Sequence, residues 1–247
     1  MTLSIIIPAY NETPRLPQTL AAIQGFFSLP QEGIALHEII IVDDGSSDGT
    51  PELAESWINR LPVRVLRLPR NRGKGAAVRE GMLAGTGDLL LMYDADGATP
   101  IDELTKLREA MVRQGADIAI GSRVDPSTSV SMQSYRRFIG RLYHALCAPL
   151  HPGIRDAACG CKLFTREAAR ELFSRQRIDR FAFDIEVLSL ALRHGYRVVE
   201  IPVRWTAVEK SKVRLLTDGP QMFACVLGLY WRAYWSEGGG VEGTTSG

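Results

Sequence analysis

The sequence predicts an α/β protein built on one mostly parallel sheet flanked by helices. Three observations lead there. Short apolar runs alternate with segments of helical periodicity. Polar, acidic motifs follow several of those runs, where open α/β sheets bind ligands. The composition is that of a globular domain, 45% hydrophobic and 23% charged over 247 residues. That length suits one α/β domain, or one domain with a C-terminal extension. The formal net charge is +1, so the whole chain is no polyanion binder and any basic surface is local.

The first strand runs from Leu3 to Ile7. Thr13 is placed to cap a helix that starts with Pro14 and buries Leu16, Leu20 and Ile23. A second strand spans Glu38 to Val42, and a helix beginning near Pro51 sets Leu53 and Trp57 on one face. The third strand is Val63 to Leu68, and the fourth is the leucine-rich run Asp88 to Tyr93. A helix beginning near Pro100 carries Leu104, Leu107 and Met111 at helical spacing, and Asp117 to Gly121 reads as a fifth strand. Residues 132–148 form an amphipathic helix with Tyr135, Phe138, Ile139, Leu142, Tyr143 and Leu146 recurring at three and four. Its arginines Arg136, Arg137 and Arg141 lie elsewhere on it. The helix is either a membrane-interface element or a core helix with solvated arginines. Further helices are expected near 165–175 and 183–194, with a late strand from Val198 to Val203.

Residues 216–236 hold Tyr230, Trp231, Tyr234 and Trp235. They suit an interfacial helix or a cover for the sheet, and 237–247 reads as a disordered tail. The N-terminus lacks a basic segment followed by a long apolar run, so no signal peptide is expected. No stretch has the ~18 uninterrupted apolar residues of a membrane span. Cys147, Cys159, Cys161 and Cys225 form no paired metal-binding spacing, and they fit a reducing cytosol.

Three motifs fall at strand ends: PAYNE (Pro8 to Glu12), DDGSSDGT (Asp43 to Thr50) and DADG (Asp94 to Gly97). Adjacent parallel strands bring them into one crevice, where a metal ion or a cationic ligand offsets their charge. Asp94 and Asp96, two apart on either side of Ala95, can both reach one hard cation or its waters. Mg²⁺ and Mn²⁺ prefer such oxygen ligands, and Mg²⁺ takes one or two carboxylates plus phosphate oxygens. Gly73-Lys74-Gly75 is neither a dinucleotide fingerprint nor a Walker A motif. It reads equally as a phosphate-proximal helix start or as close packing.

In their order and intervals, SIIIPAYNE, EIIIVDDGSSDGT, NRGKGAAVREG, DADG and GSR resemble glycosyltransferase family 2. Within it, DADGAT, IRDAACGCKLFTR, FAFDIEVL and VRWTAVEKSKV look like the dolichyl-phosphate β-glucosyltransferases. Gly97 and Ala98 depart from the leucine and glutamine usual in the related mannosyltransferases. The resemblance implies a GT-A fold, with a Rossmann-like nucleotide-sugar half (1–125) and an acceptor half (126–215). It implies inverting transfer of glucose from UDP-glucose to a polyprenyl phosphate on the cytoplasmic face of a membrane, with Mg²⁺ or Mn²⁺. Pro8, Tyr10, Glu12, Asp43 and Asp44 would serve the uridine pocket. Lys74, Asp94, Ala95 and Asp96 would contact the donor, with Asp94 and Asp96 on metal and diphosphate. Arg123 and Lys212 would meet the diphosphate or the acceptor phosphate, and Asp184 and Glu186 would lie near the sugar.

Plainer roles stay open for several of these. Arg123 also reads as closing a strand end, Asp184 as a helix N-cap, and Asp156 as ordering the turn before Cys159. Cys161 stands where the subgroup has an aromatic residue. Another donor such as GDP-mannose, a soluble acceptor, or a non-catalytic nucleotide-sugar binding module are the competing functions.

Overall fold

In the computed structural model, residues 1–123, 145–206 and 223–231 are described. Their strands form one seven-stranded sheet in the order β3-β2-β1-β4-β6-β5-β7. The strands are β1 (Thr2–Ala9), β2 (Ala35–Asp43), β3 (Val63–Arg67), β4 (Leu89–Tyr93), β5 (Ile118–Ser122), β6 (Cys161–Thr165) and β7 (Val198–Pro202). The helices are α1 (Leu16–Phe27), α2 (Thr50–Glu55), α3 (Lys74–Ala84), α4 (Glu103–Gln114), α5 (Arg166–Arg175) and α6 (Phe183–Arg193). Residues 223–231 are also helical.

The expected mostly parallel sheet is present, because β2-β1-β4, β2-β3 and β5-β7 all pair in parallel. The strand the sequence reading missed is β6. It runs antiparallel between β4 and β5 and brings C-terminal residues into the middle of the sheet. Its five residues lead directly into α5, so their period is masked by the helix that follows.

Alternation along the strands divides the core between two faces. Leu3, Ile5, Ile7, Leu91 and Leu163 pack with Leu16, Leu20 and Ile23 of α1 and Leu104 and Leu107 of α4. Ile6, Leu90, Met92, Ile120 and Phe164 pack on the other face with Val78 of α3, Leu172 and Phe173 of α5, and Leu188 of α6. Covering both faces explains why β1 and β4 read as continuous apolar runs rather than alternating ones.

Two local expectations are corrected. α1 begins at Leu16 without a side-chain cap. Thr13 instead donates its hydroxyl to the Asp48 carbonyl at 2.9 Å, joining the loops after β1 and β2. Asp184 does not cap α6, whose N-cap is Ala182. Most of the amphipathic segment 132–148 lies outside the described residues, which resume at residue 145, as do Lys212 and residues 237–247. Among the described residues no helix is long and apolar enough to cross a membrane.

Candidate active site

The carboxyl ends of β2, β1 and β4 lie side by side, and this places the three motifs together. Ala9 is in register with Asp43, and the Asp44 N–H donates to the Ala9 carbonyl at 2.8 Å. The two loops are laced further on. Asn11, in a left-handed conformation at φ 52°, donates its N–H to Ser46 Oγ and accepts from the Ser47 N–H, both at 2.9 Å. Asn tolerates this region better than most residues. Thr50 Oγ1 accepts from the Glu12 N–H at 2.8 Å. The third motif is tied in from α1, where Thr19 Oγ1 donates to the Ala95 carbonyl at 2.7 Å.

Within this frame the predicted residues take distinct positions. Pro8 is buried at the end of β1, and Tyr10 projects with 39% exposure. Asp43 accepts the Ser46 N–H. Asp44 accepts the N–H groups of Arg72 and Gly73 at 2.7 and 2.8 Å, which fixes the approach to α3. Burial raises the Asp44 carboxyl above its usual range against those two donors. Glu12 holds Arg15 through two hydrogen bonds of 2.6 and 2.7 Å.

The tip of β4 carries the sharpest chemistry. Asp94 Oδ1 is 2.7 Å from the Lys74 ammonium at the start of α3. Asp96 Oδ1 accepts the Ala98 N–H at 3.1 Å. Burial opposes the charge on Lys74, but the fields of Asp94, Asp184 and Asp96 outweigh it and raise its pKa. The glycines flanking Lys74 serve packing: a Cβ at residue 73 would lie 2.5 Å from the Asp179 carbonyl oxygen, and one at residue 75 would lie 2.4 Å from that of Ile178. Close packing therefore accounts for both glycines, and the lysine between them meets Asp94.

β6 and the glycine before it supply the floor, and with it two residues the sequence reading did not single out. A Cβ at residue 160 would stand 1.9 Å from Asp94 Oδ2, so Gly160 is what admits the carboxylate. Lys162 is only 1% exposed. Its ammonium donates to Asp184 at 2.5 Å and to the Cys159 carbonyl at 2.6 Å. Asp184 is thus one half of a buried ion pair whose field reaches Lys74. Glu186 accepts the N–H groups of Arg177 and Ile178 at 2.9 and 2.7 Å and orders the loop before α6. The lone glycine between two cysteines and the charged residue inside an apolar strand were the available signals for Gly160 and Lys162.

Arg123 follows β5 and is held by Asp156 through its Nε, a terminal nitrogen and its backbone N–H, at 2.7 to 2.8 Å. The guanidinium also sits 5.7 Å from the Trp205 ring centroid, within cation–π range. Burial raises the Asp156 carboxyl, but Arg123 reverses the balance and lowers it. Cys161 is buried opposite Tyr93, so a small residue is accommodated there beside a large one. Burial raises the pKa of both Cys159 and Cys161, which keeps the thiols protonated and unreactive.

Two carboxylates at the end of β4, oxygen donors only, fit a hard divalent cation that completes its shell with water and phosphate oxygens. They do not fit an all-protein cage, and among the described residues no three His, Cys, Asp or Glu side chains gather into one.

Comparison with known proteins identifies the family. The model for glycosyl transferase family 2 matches residues 4–173. The chain is 38% identical over 242 residues to the dolichyl-phosphate β-glucosyltransferase of Dictyostelium discoideum, covering 93% of this chain and 74% of that protein. It is 39% identical to the Homo sapiens protein of the same name, covering 85% and 69%. Among solved structures, glucosyl-3-phosphoglycerate synthase of Mycobacterium tuberculosis with phosphoglyceric acid superposes with a TM-score of 0.70 at 19% identity, covering 92% and 79%. The complex of that enzyme with Mn²⁺, UDP and phosphoglyceric acid gives 0.68 at 18%, covering 92% and 76%. At those identities the likeness shows the GT-A fold alone. With the family model across most of the chain and relatives well above 30% identity, the chain belongs to glycosyltransferase family 2.

Proposed function

We propose that the protein transfers glucose from UDP-glucose to a polyprenyl phosphate of the dolichyl type, with inversion at the anomeric carbon. The observation that carries this reading is the Lys74–Asp94 contact at the tip of β4, with Asp96 two residues on and the field of Asp94 reaching Arg123, beside the loops of Tyr10 and Asp43. Similarity to relatives named dolichyl-phosphate β-glucosyltransferase supports the sugar and the acceptor.

In this reading Tyr10, Pro8 and Asp43 hold the uridine, with Glu12 and Asp44 shaping the loops around it. Asp94 and Asp96 hold Mg²⁺ or Mn²⁺, which when bound supplies positive charge at the diphosphate. Lys74 and Arg123 add positive charge where negative charge develops as UDP leaves. A phosphate oxygen of the acceptor forms the bond to the anomeric carbon as the bond to the diphosphate breaks, so an α-linked donor gives a β-linked product. That oxygen is already anionic, and a strong general base is unnecessary. Lys212 would meet one of the phosphates, and Asp184 would face the sugar from the floor. The lipid acceptor implies peripheral contact with the cytoplasmic face of a membrane. Leu227 and Trp231, 59% and 66% exposed on helical residues 223–231, are apolar side chains suited to it.

The test is a matrix of labelled UDP-glucose, UDP-galactose, UDP-N-acetylglucosamine and GDP-mannose against dolichyl and undecaprenyl phosphate. Label is expected in the lipid phase from UDP-glucose, with loss of that label in Asp96→Ala while its Tm stays near wild type. Label from GDP-mannose alone would overturn the donor, and near-normal transfer by Asp96→Ala would overturn the metal assignment.

A further inference from the structure

We infer that Lys74 is a resident counter-cation for Asp94: it competes with the divalent ion for that carboxylate and passes to the donor diphosphate when the ion binds. The inference rests on the metal and diphosphate reading above and assigns a device to the same site. The two oxygens of Asp94 face different neighbours. Oδ2 lies against the backbone of Gly160, where even a Cβ would be only 1.9 Å away. Oδ1 lies 2.7 Å from the Lys74 ammonium. A divalent ion reaching this carboxylate therefore meets a charge of its own sign.

The side chain of Lys74 is free to yield although its backbone is not. Its backbone is the first residue of α3, wedged between glycines that pack on the carbonyl oxygens of Asp179 and Ile178, and the Ala76 N–H donates to the Asp179 carbonyl at 2.9 Å. Four flexible methylenes carry the ammonium. Asp184 keeps the surroundings acidic, and Lys162 pins Asp184 in place. Lys74 can thus leave Asp94 without losing all its anionic neighbours, and a diphosphate offers it a new one. Metal and nucleotide then bind with mutual assistance, and the coupling is reciprocal. A protein without nucleotide holds the ion weakly.

The experiment measures Mn²⁺ binding by the electron paramagnetic resonance of the free ion, with and without UDP. It compares wild type, Lys74→Met, Lys74→Gln, Lys74→Arg and Asp94→Asn. Without UDP the two neutral variants are expected to bind Mn²⁺ about tenfold more tightly, about 1.4 kcal/mol. Their gain in Mn²⁺ affinity on adding UDP should shrink by a similar factor, and UDP alone should bind them more weakly. Lys74→Arg keeps the charge and should stay near wild type. Unchanged or weaker Mn²⁺ binding in both neutral variants, at wild-type Tm, overturns the inference. Asp94→Asn separates the two levels. Wild-type Mn²⁺ affinity in that variant would overturn the metal reading itself, whereas weakened affinity there with no gain in the Lys74 variants overturns the counter-cation alone.

Discussion

A methyl group on residue 160 would stand 1.9 Å from Asp94 Oδ2 and 2.3 Å from its Cγ, deep inside contact distance. The obstacle is the end of one side chain, which can rotate, so the fold survives and the carboxylate moves. Gly160→Ala is expected to lower kcat/KM for transfer by about 100-fold, the usual order for a displaced reacting group, with a Tm close to wild type. Gly25→Ala is the control, since nothing lies within 4 Å of its Cβ in α1. It should leave transfer unchanged. Equal activity in Gly160→Ala and wild type would show that Asp94 has no fixed position to lose.

At the scale of an element, β6 couples the sheet to the site. It is antiparallel to both its neighbours, and its second residue, Lys162, is in register with Met92 and Ile120. A lysine at that depth stands because Asp184 of α6 neutralises it and the Cys159 carbonyl accepts from it. Removing one member of a buried pair strands the other, which costs about 3–5 kcal/mol. Lys162→Met should therefore lower urea-unfolding stability by roughly that amount. Lys162→Met combined with Asp184→Leu should recover much of the loss, because no stranded charge remains. A double variant as unstable as the sum of the two singles would argue against the pair as the cause.

On the scale of the whole molecule, the sheet has two ends with different duties. The carboxyl ends carry the candidate site, and the opposite end is stitched by Glu38. Its Oε1 accepts from Ser4 Oγ, the Thr86 N–H and Thr86 Oγ1 at 2.7 to 2.8 Å, and its Oε2 accepts from Arg64 at 3.0 Å. Glu38 thereby joins β1, β2, β3 and the segment before β4. Burial raises its pKa, but these bonds outweigh it and lower the value from 4.5 to about 2. A carboxyl depressed in the folded state adds stability that is fully present above its unfolded pKa and is lost as pH falls through the folded one. Glu38→Gln should therefore be less stable than wild type by ~1–2 kcal/mol at neutral pH. The gap should close between about pH 4.5 and about pH 2, while transfer at neutral pH stays unchanged. A gap independent of pH would remove ionisation of Glu38 as its source.

The α/β class, six of the seven strands, and the gathering of the Tyr10, Asp43 and Asp94 loops were legible in the residues. Apolar period and strand-end carboxylates are local patterns, and the rule that parallel neighbours share an end does the rest. Five residues ahead of a helix carry too little period to declare β6, and nothing local says that it inserts between β4 and β5. Gly160 beside Asp94, Lys162 under Asp184 and Lys74 on Asp94 all follow from that insertion or from α3 packing on the 178–180 loop. Sequence determined which groups carry charge and which strand tips present them. Tertiary structure alone decided which groups meet, because those pairs lie 20 to 66 positions apart and only packing of strand and helix brings them into contact.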